Sequence, residues 1–426
     1  MHASLVAALL LATQGGTRLD SAEVARILTQ LKASDSTICE LAGQSLTNFG
    51  GLWIRDPHYA MPMPRPTPTP MPMPRGGGAW VGAAGNVMKD VMHGHRSGRD
   101  TPTLGAFRAV LRDDNRCVRN IAARVLGNEA PDGTYELFLG LLRDARPGIR
   151  ETGALGLGQL EDSRAMGPLT SALEDAEVGV RRAAAWALGE IEDAAAIDAL
   201  ARALRDRAPE VRRAAAWSLG QIEDGRAIGP LGDALGDASL DVRLAAAWAL
   251  GEIEEAAAVP VLAGAAKDRE PRVRQAAAWA LGEIESSQGV ALLGPLVRDP
   301  APEVRKTALW ALGEIEDGSG VAAVAVGLKD ADADVRVLAC WALGEIQDER
   351  GVEPLVAALK DADIDVRVTA AWALGEIESP LALDALKTAQ QDASSSVRRT
   401  AAWALRQIDD QDHPRIRVRS RVRIRN

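Results

Sequence analysis

Between residues 101 and 410 the apolar positions recur at three- and four-residue steps, in segments of about a dozen residues separated by short polar stretches. That spacing is the signature of amphipathic helices, not of strands. Residues 194–205 (AAAIDALARALR) give one such segment, and residues 209–222 give the next. At about 100° per residue, Val211, Ala214, Ala215, Ser218, Leu219 and Ile222 share one stripe of the second. Proline stands two residues before the valine or isoleucine of four such segments (Pro147, Pro209, Pro271, Pro302), where a first helical turn loses nothing by lacking an N–H.

The helix pair is itself repeated. Tryptophans at 186, 217, 248, 279, 310, 341, 372 and 403 are each 31 residues apart. A Val-Arg or Ile-Arg pair precedes each tryptophan and continues back to Val118-Arg119 and Ile149-Arg150, which makes ten units. Arg124 and Leu155 hold the tryptophan position in the first two. An aspartate lies five residues before every one of these valines or isoleucines, from Asp113 to Asp392. A helix pair cannot bury its apolar face alone, whereas stacked pairs share a continuous core, so the pattern predicts an all-α, right-handed α-solenoid.

Outside the array the pattern changes. Residues 17–50 carry a divergent copy suited to an N-terminal cap, in which Leu46 keeps the core position, Gln44 replaces tryptophan and Cys39 replaces arginine. Residues 51–100 alternate proline with other residues from Pro62 to Pro74, then run into Gly76-Gly77-Gly78, the composition of a polyproline II stretch and flexible linker. Residues 411–426 alternate arginine with Ile, Val or Ser. At the other end, Ala3–Ala12 is a ten-residue apolar run before small and polar residues. It has the size of a signal-peptide core, and residues 1–16 are read as such, with periplasmic or extracellular export as the expectation and a cytoplasmic first helix as the alternative. No run is long enough to span a bilayer as a helix.

Composition adds three constraints. The net charge of −10 over 426 residues, with 47% hydrophobic residues, fits a folded rather than a disordered chain. Ten of the fifteen aromatic residues are tryptophan, which the repeat accounts for. Cys39, Cys117 and Cys340 contain no CxxC spacing and are read as packed or idle thiols.

The VRxAAAWALGEIED consensus, the aspartate six residues before its arginine and the paired helices resemble HEAT repeats, specifically the short type of phycobilin lyase subunits. The resemblance covers residues 101–410. It implies that the aspartate and arginine form a hydrogen-bonded structural ladder between neighbouring units: Asp206 with Arg212, Asp237 with Arg243, Asp268 with Arg274 and Asp299 with Arg305. It also implies that the second helices line a concave surface and that the residue before Ala-Leu-Gly faces a ligand. On the helical wheel Trp217 lies about 220° from the core stripe, together with Arg213 and Gln221.

The tryptophans then form one column: Trp186, Trp217, Trp248, Trp279, Trp310, Trp341, Trp372 and Trp403. A second column follows one turn later, with Glu190, Glu252, Glu283, Glu314, Glu345 and Glu376. Aromatic faces beside carboxylates suit cations, each contact contributing about 0.5–2 kcal/mol. The expected function is a scaffold binding an extended, cationic or proline-rich peptide or protein in a Trp/Glu groove. The competing reading of the tryptophans is packing, with indoles laid over alanines; units about 10 Å apart would prevent indole stacking and leave faces available.

The arginine tail, residues 413–426, has three readings: docking in the acidic groove of its own or another copy, contact with nucleic acid or anionic membrane, or a frayed end. The enzymatic alternative is a protein related to the lyases or to deoxyhypusine hydroxylase, which holds iron through His-Glu dyads. None of the five histidines here precedes a glutamate, so the sequence implies no catalytic residue, metal or cofactor. His93-Gly94-His95 could chelate a metal but lies in the linker without further ligands.

Overall fold

The computed structural model describes residues 21–32 and 102–409. The predicted signal segment, most of the predicted cap, the linker and the arginine tail lie outside them. Among the described residues the chain is all-α, with no strand. They fall into two compact units, one formed by 21–32 with 102–253 and one by 254–409.

Each unit contains helix pairs of one kind. In the first, the trailing helices are Arg116–Glu129, Pro147–Gln159, Val178–Glu190, Pro209–Gln221 and Leu240–Glu252. In the second they are Pro271–Glu283, Pro302–Ile315, Ala333–Ile346, Ile364–Ile377 and Ser395–Asp409. Within each unit, trailing helices pack side by side in chain order, and each carries its own leading helix. Small residues permit this approach: Ala214, Ala215 and Ala216 are all buried on a single helix. The described part of the predicted cap, helix Ser21–Lys32, packs on helix Pro102–Val110 and buries Val24 and Leu28.

The leading helices are shorter than their apolar pattern predicts. Residues 194–205 form a 3-10 turn, Ala194–Ala196, followed by helix Ile197–Ala203. Asp193 starts the turn by accepting the N–H of Ala195 at 2.9 Å. The break between trailing and leading helices is made by an unexpected residue. Glu161, Glu192, Glu223, Glu254, Glu285, Glu316, Gln347 and Glu378 all adopt left-handed backbone, with φ between 50° and 55°. Glycine usually fills that helix-terminating position.

The ladder joins neighbouring repeats, and each of its arginines also reaches back to the aspartate six residues before it. Arg212 donates from Nε and Nη2 to both oxygens of Asp237 at 2.6 and 2.8 Å, 25 residues on, while its Nη1 reaches the Asp206 carbonyl at 2.8 Å. The predicted six-residue partner is thus met through its backbone, and the Asp206 carboxylate is taken by Arg181 at 2.7 and 2.9 Å. Asp206 also accepts the N–H of Ala208, which fixes the loop that presents it. Arg243 repeats the bond to the Asp237 carbonyl, and Arg274 the bond to the Asp268 carbonyl. In the second unit the paired carboxylates are Arg274 with Asp299, Arg305 with Asp330, Arg336 with Asp361 and Arg367 with Asp392.

These forked bonds hold the aspartates ionised. The Arg150 guanidinium beside Asp175, and Arg336 beside Asp361, keep those carboxyls below the ordinary aspartate value. A carboxyl depressed on folding adds stability above its unfolded value and loses it as pH falls through the folded one. Thermal melts should therefore show a midpoint insensitive to these groups at neutral pH and falling once the pH drops below about 4. Asp361→Asn should lower the neutral midpoint and flatten part of that acid limb.

Candidate binding surface

The trailing helices carry both predicted columns, and the two columns differ in burial. Six of the eight indoles are seated on a glycine of the preceding repeat, whereas Gly189 faces Ser218 instead of Trp217. A Cβ added to Gly313 would lie 2.5 Å from Cζ3 of Trp341 and 3.2 Å from Cα of Ala342. Gly158 meets Trp186, Gly220 meets Trp248, Gly282 meets Trp310, Gly344 meets Trp372 and Gly375 meets Trp403 in the same way. The recurrent glycine is the seat into which the next unit's tryptophan fits, 28 residues later.

The tryptophans are accordingly much more enclosed than a ligand-facing column requires. Trp248 is 2% exposed and Trp341 7%, with Trp186, Trp279 and Trp372 between them. Trp217, Trp310 and Trp403 are half-buried. Trp217 and Trp248 stack with centroids 6.4 Å apart and planes 7° from parallel, contrary to the expectation that the repeat spacing keeps indoles apart. The polar edges turn inward as well: the Nε1 atoms of Trp217, Trp279 and Trp372 are buried without a hydrogen-bond acceptor among the described residues. A contact row would instead keep that donor toward solvent.

The carboxylates one turn later remain at the surface. Glu190, Glu252, Glu283, Glu314, Glu345 and Glu376 are all half-buried, as are Gln221 and Gln407. Within each unit they form a row at constant register, backed by the tryptophans. The left-handed glutamates stand two residues beyond them and add a second row of charge that the sequence alone did not reveal. One turn before the tryptophans the row is mixed: Arg182 donates to Glu151 at 2.8 Å, and Glu151 also accepts from Arg116 at 2.6 Å. That network links three consecutive helices and is structural.

Elsewhere, a cavity of about 600 Å³ lies among Val297, Arg298, Arg305, Val326, Lys329 and Asp330, with Arg305 and Asp330 already paired in the ladder. No group of three potential metal ligands occurs among the described residues, and no described helix is long and apolar enough to cross a membrane. His93 and His95 lie outside the described residues.

Repeated helix pairs with a uniform trailing-helix face make each unit an α-solenoid stack, a scaffold architecture. The chain belongs to the HEAT-repeat family: the HEAT repeats model matches six overlapping windows, 167–240, 201–270, 228–313, 263–328, 290–361 and 321–406. Importin beta has a similar fold, with a TM-score of 0.56 at 15% identity over 90% of this chain and 57% of its own. The CpcE and CpcF complex of phycocyanin lyase from Nostoc sp. PCC7120 aligns at 23% identity, covering 57% of this chain and 94% of that one, with a TM-score of 0.33. An engineered protein aligns at 24% identity over 72% of this chain and 98% of its own, with a TM-score of 0.44. No curated protein matches the sequence.

Proposed function

We propose that the protein is an interaction scaffold whose trailing-helix face binds an extended, basic peptide or protein segment. The observation that carries this reading is the row of half-buried carboxylates at one register on successive trailing helices, among them Glu283, Glu314, Glu345 and Glu376. The tryptophans serve as the floor beneath the row, and only Trp217, Trp310 and Trp403 keep enough surface to touch a ligand directly. An extended peptide offers a side chain to one face about every 6.8 Å, so a basic segment can meet successive carboxylates without matching each of them. Importin beta, a protein of similar fold, supports the scaffold class and says nothing of the ligand.

The test is fluorescence anisotropy of a labelled synthetic peptide, HPRIRVRSRVRIRN, titrated with the full chain at two salt concentrations. Saturable binding that weakens with salt is expected, as for surface charge pairs within reach of screening. Glu283→Gln/Glu314→Gln/Glu345→Gln/Glu376→Gln should weaken it at least tenfold while leaving the melting midpoint within a few degrees. Binding unchanged by the four substitutions would refute the assignment.

A further inference from the structure

A stacked array ends in a face that no further repeat covers. In the unit formed by 254–409, among the described residues, that face belongs to helix Ser395–Asp409. Three positions of a trailing helix meet the following repeat elsewhere in this unit. At the ladder position, Arg274, Arg305, Arg336 and Arg367 each donate Nε and Nη2 to both oxygens of the aspartate 25 residues on. One residue later, Gln275 donates to Thr307 of the next trailing helix at 3.2 Å. Three residues after the tryptophan, a Cβ on Gly375 would lie 2.6 Å from Cζ3 of Trp403.

In the last helix these three positions hold Arg398, Arg399 and Arg406, and all three are exposed. One repeat earlier, Arg367 is half-buried, Val368 is 3% exposed and Gly375 is buried. Arg398 keeps the anchor of a ladder arginine: its Nη1 donates to the carbonyls of Asp392 and Ala393 at 2.7 and 2.8 Å, as Arg367 does to Asp361 and Ala362 at 2.8 and 3.2 Å. Its Nε and Nη2, the fork that takes a carboxylate in the four earlier rungs, have no hydrogen-bond partner among the described residues. The residue 25 positions on is Arg423, not an acid. Arg399 and Arg406 lie about 20° apart on the helical wheel, and neither has an ion-pair partner among the described residues. Arg406 also limits what can sit here. It takes the place of the glycine seat, so a second copy stacked end-on in the ladder register would drive its indole into the Arg406 side chain.

We propose that the end face of helix Ser395–Asp409 is a second docking surface, opposite in sign to the carboxylate row, that binds an acidic segment of a partner protein. An aspartate of that segment takes the open Arg398 fork, and further carboxylates meet Arg399 and Arg406. The sign follows from three exposed guanidiniums with no carboxylate of their own. The preference for carboxylate follows from the ladder, where the same fork, anchored on the same two carbonyls, holds an aspartate at 2.6–3.2 Å in each of the four earlier rungs. In those rungs the aspartate is presented by a turn, its Oδ1 also accepting the N–H two residues on. A matching partner therefore offers an aspartate from a turn or an extended acidic run, not from the middle of a helix.

The experiment is fluorescence anisotropy of a labelled octa-aspartate peptide titrated with the full chain. Saturable, salt-sensitive binding is expected. Arg398→Lys keeps the charge and removes the fork, and should weaken binding about tenfold. Arg399→Gln/Arg406→Gln should weaken it about fivefold, as for exposed charge pairs. Both variants should melt within a few degrees of the parent, and the double variant reads the face through exposed residues even where Arg398→Lys loosens the loop it anchors. Affinity unchanged in both variants, which assigns the peptide to cations elsewhere in the chain, would overturn the proposal. Equal binding of a thymidine octanucleotide, falling in parallel across the variants, would put phosphate in place of carboxylate and overturn it as well.

Discussion

Trp341→Ala is expected to destabilise the unit formed by 254–409 by about 3–5 kcal/mol, the usual cost of removing a large enclosed aromatic. The indole is 7% exposed and fills the space above Gly313, so its loss leaves a void between two trailing helices. Urea denaturation followed by circular dichroism measures this directly. Because repeat arrays can unfold in segments, an added intermediate transition is also expected, with the break at the 302–346 junction. Gly313→Ala should act in the same direction, by about 1–3 kcal/mol, since its Cβ would enter the ring. Combining it with Trp341→Ala should cost less than the sum, because the smaller residue vacates the space the new methyl needs. A ligand-contact tryptophan would give the opposite profile, with weakened binding and little change in stability.

Asp330→Ala should cost about 3 kcal/mol, because it strands a partner rather than deleting a pair. Asp330 accepts two bonds from Arg305, at 2.7 and 2.9 Å, and a third from the N–H of Asp332 at 2.9 Å. Removing the carboxylate leaves a partly enclosed guanidinium with only the Asp299 and Pro300 carbonyls. Arg305→Met/Asp330→Ala should be less destabilised than the two single variants together, since methionine retains the packing without the charge. Chemical denaturation of the four proteins checks this, and strict additivity would remove the ladder from the account of inter-unit stability.

The fold was legible because one period governs everything. The spacing of Trp186 to Trp403 located the trailing helices, and Pro209 and its equivalents located their starts. The leading helices were overdrawn, since composition alone does not distinguish a 3-10 turn such as Ala194–Ala196 from a first helical turn; the aspartate cap decides it. The trailing-helix end at Ile222 was read to within one residue, but the device that makes it was not: glutamate at a left-handed position carries no glycine-like signal.

The site was half legible. Helical phase sets the Trp/Glu face apart from the valine and leucine stripe, yet phase says nothing about what the next repeat lays on that face. The serial glycines, such as Gly158, Gly189 and Gly220, signal a close helix crossing but not what fills it. A glycine stands three residues after every repeat tryptophan except Trp403, and at Gly313 and five other glycines of this register the indole of the following repeat occupies the space the absent side chain leaves. The ladder was legible in part: the six-residue spacing corresponds to a bond to the aspartate carbonyl, while the carboxylate bond runs 25 residues on to the next repeat.

The most direct measurement is acrylamide quenching of tryptophan fluorescence in the full chain carrying Trp53→Phe and Trp80→Phe, so that only the eight repeat indoles emit. Packing between units predicts blue-shifted emission with most of the intensity shielded from acrylamide and a minor accessible fraction from Trp217, Trp310 and Trp403. Red-shifted emission quenched uniformly, as for indole in water, would contradict the account and return the tryptophans to the ligand surface.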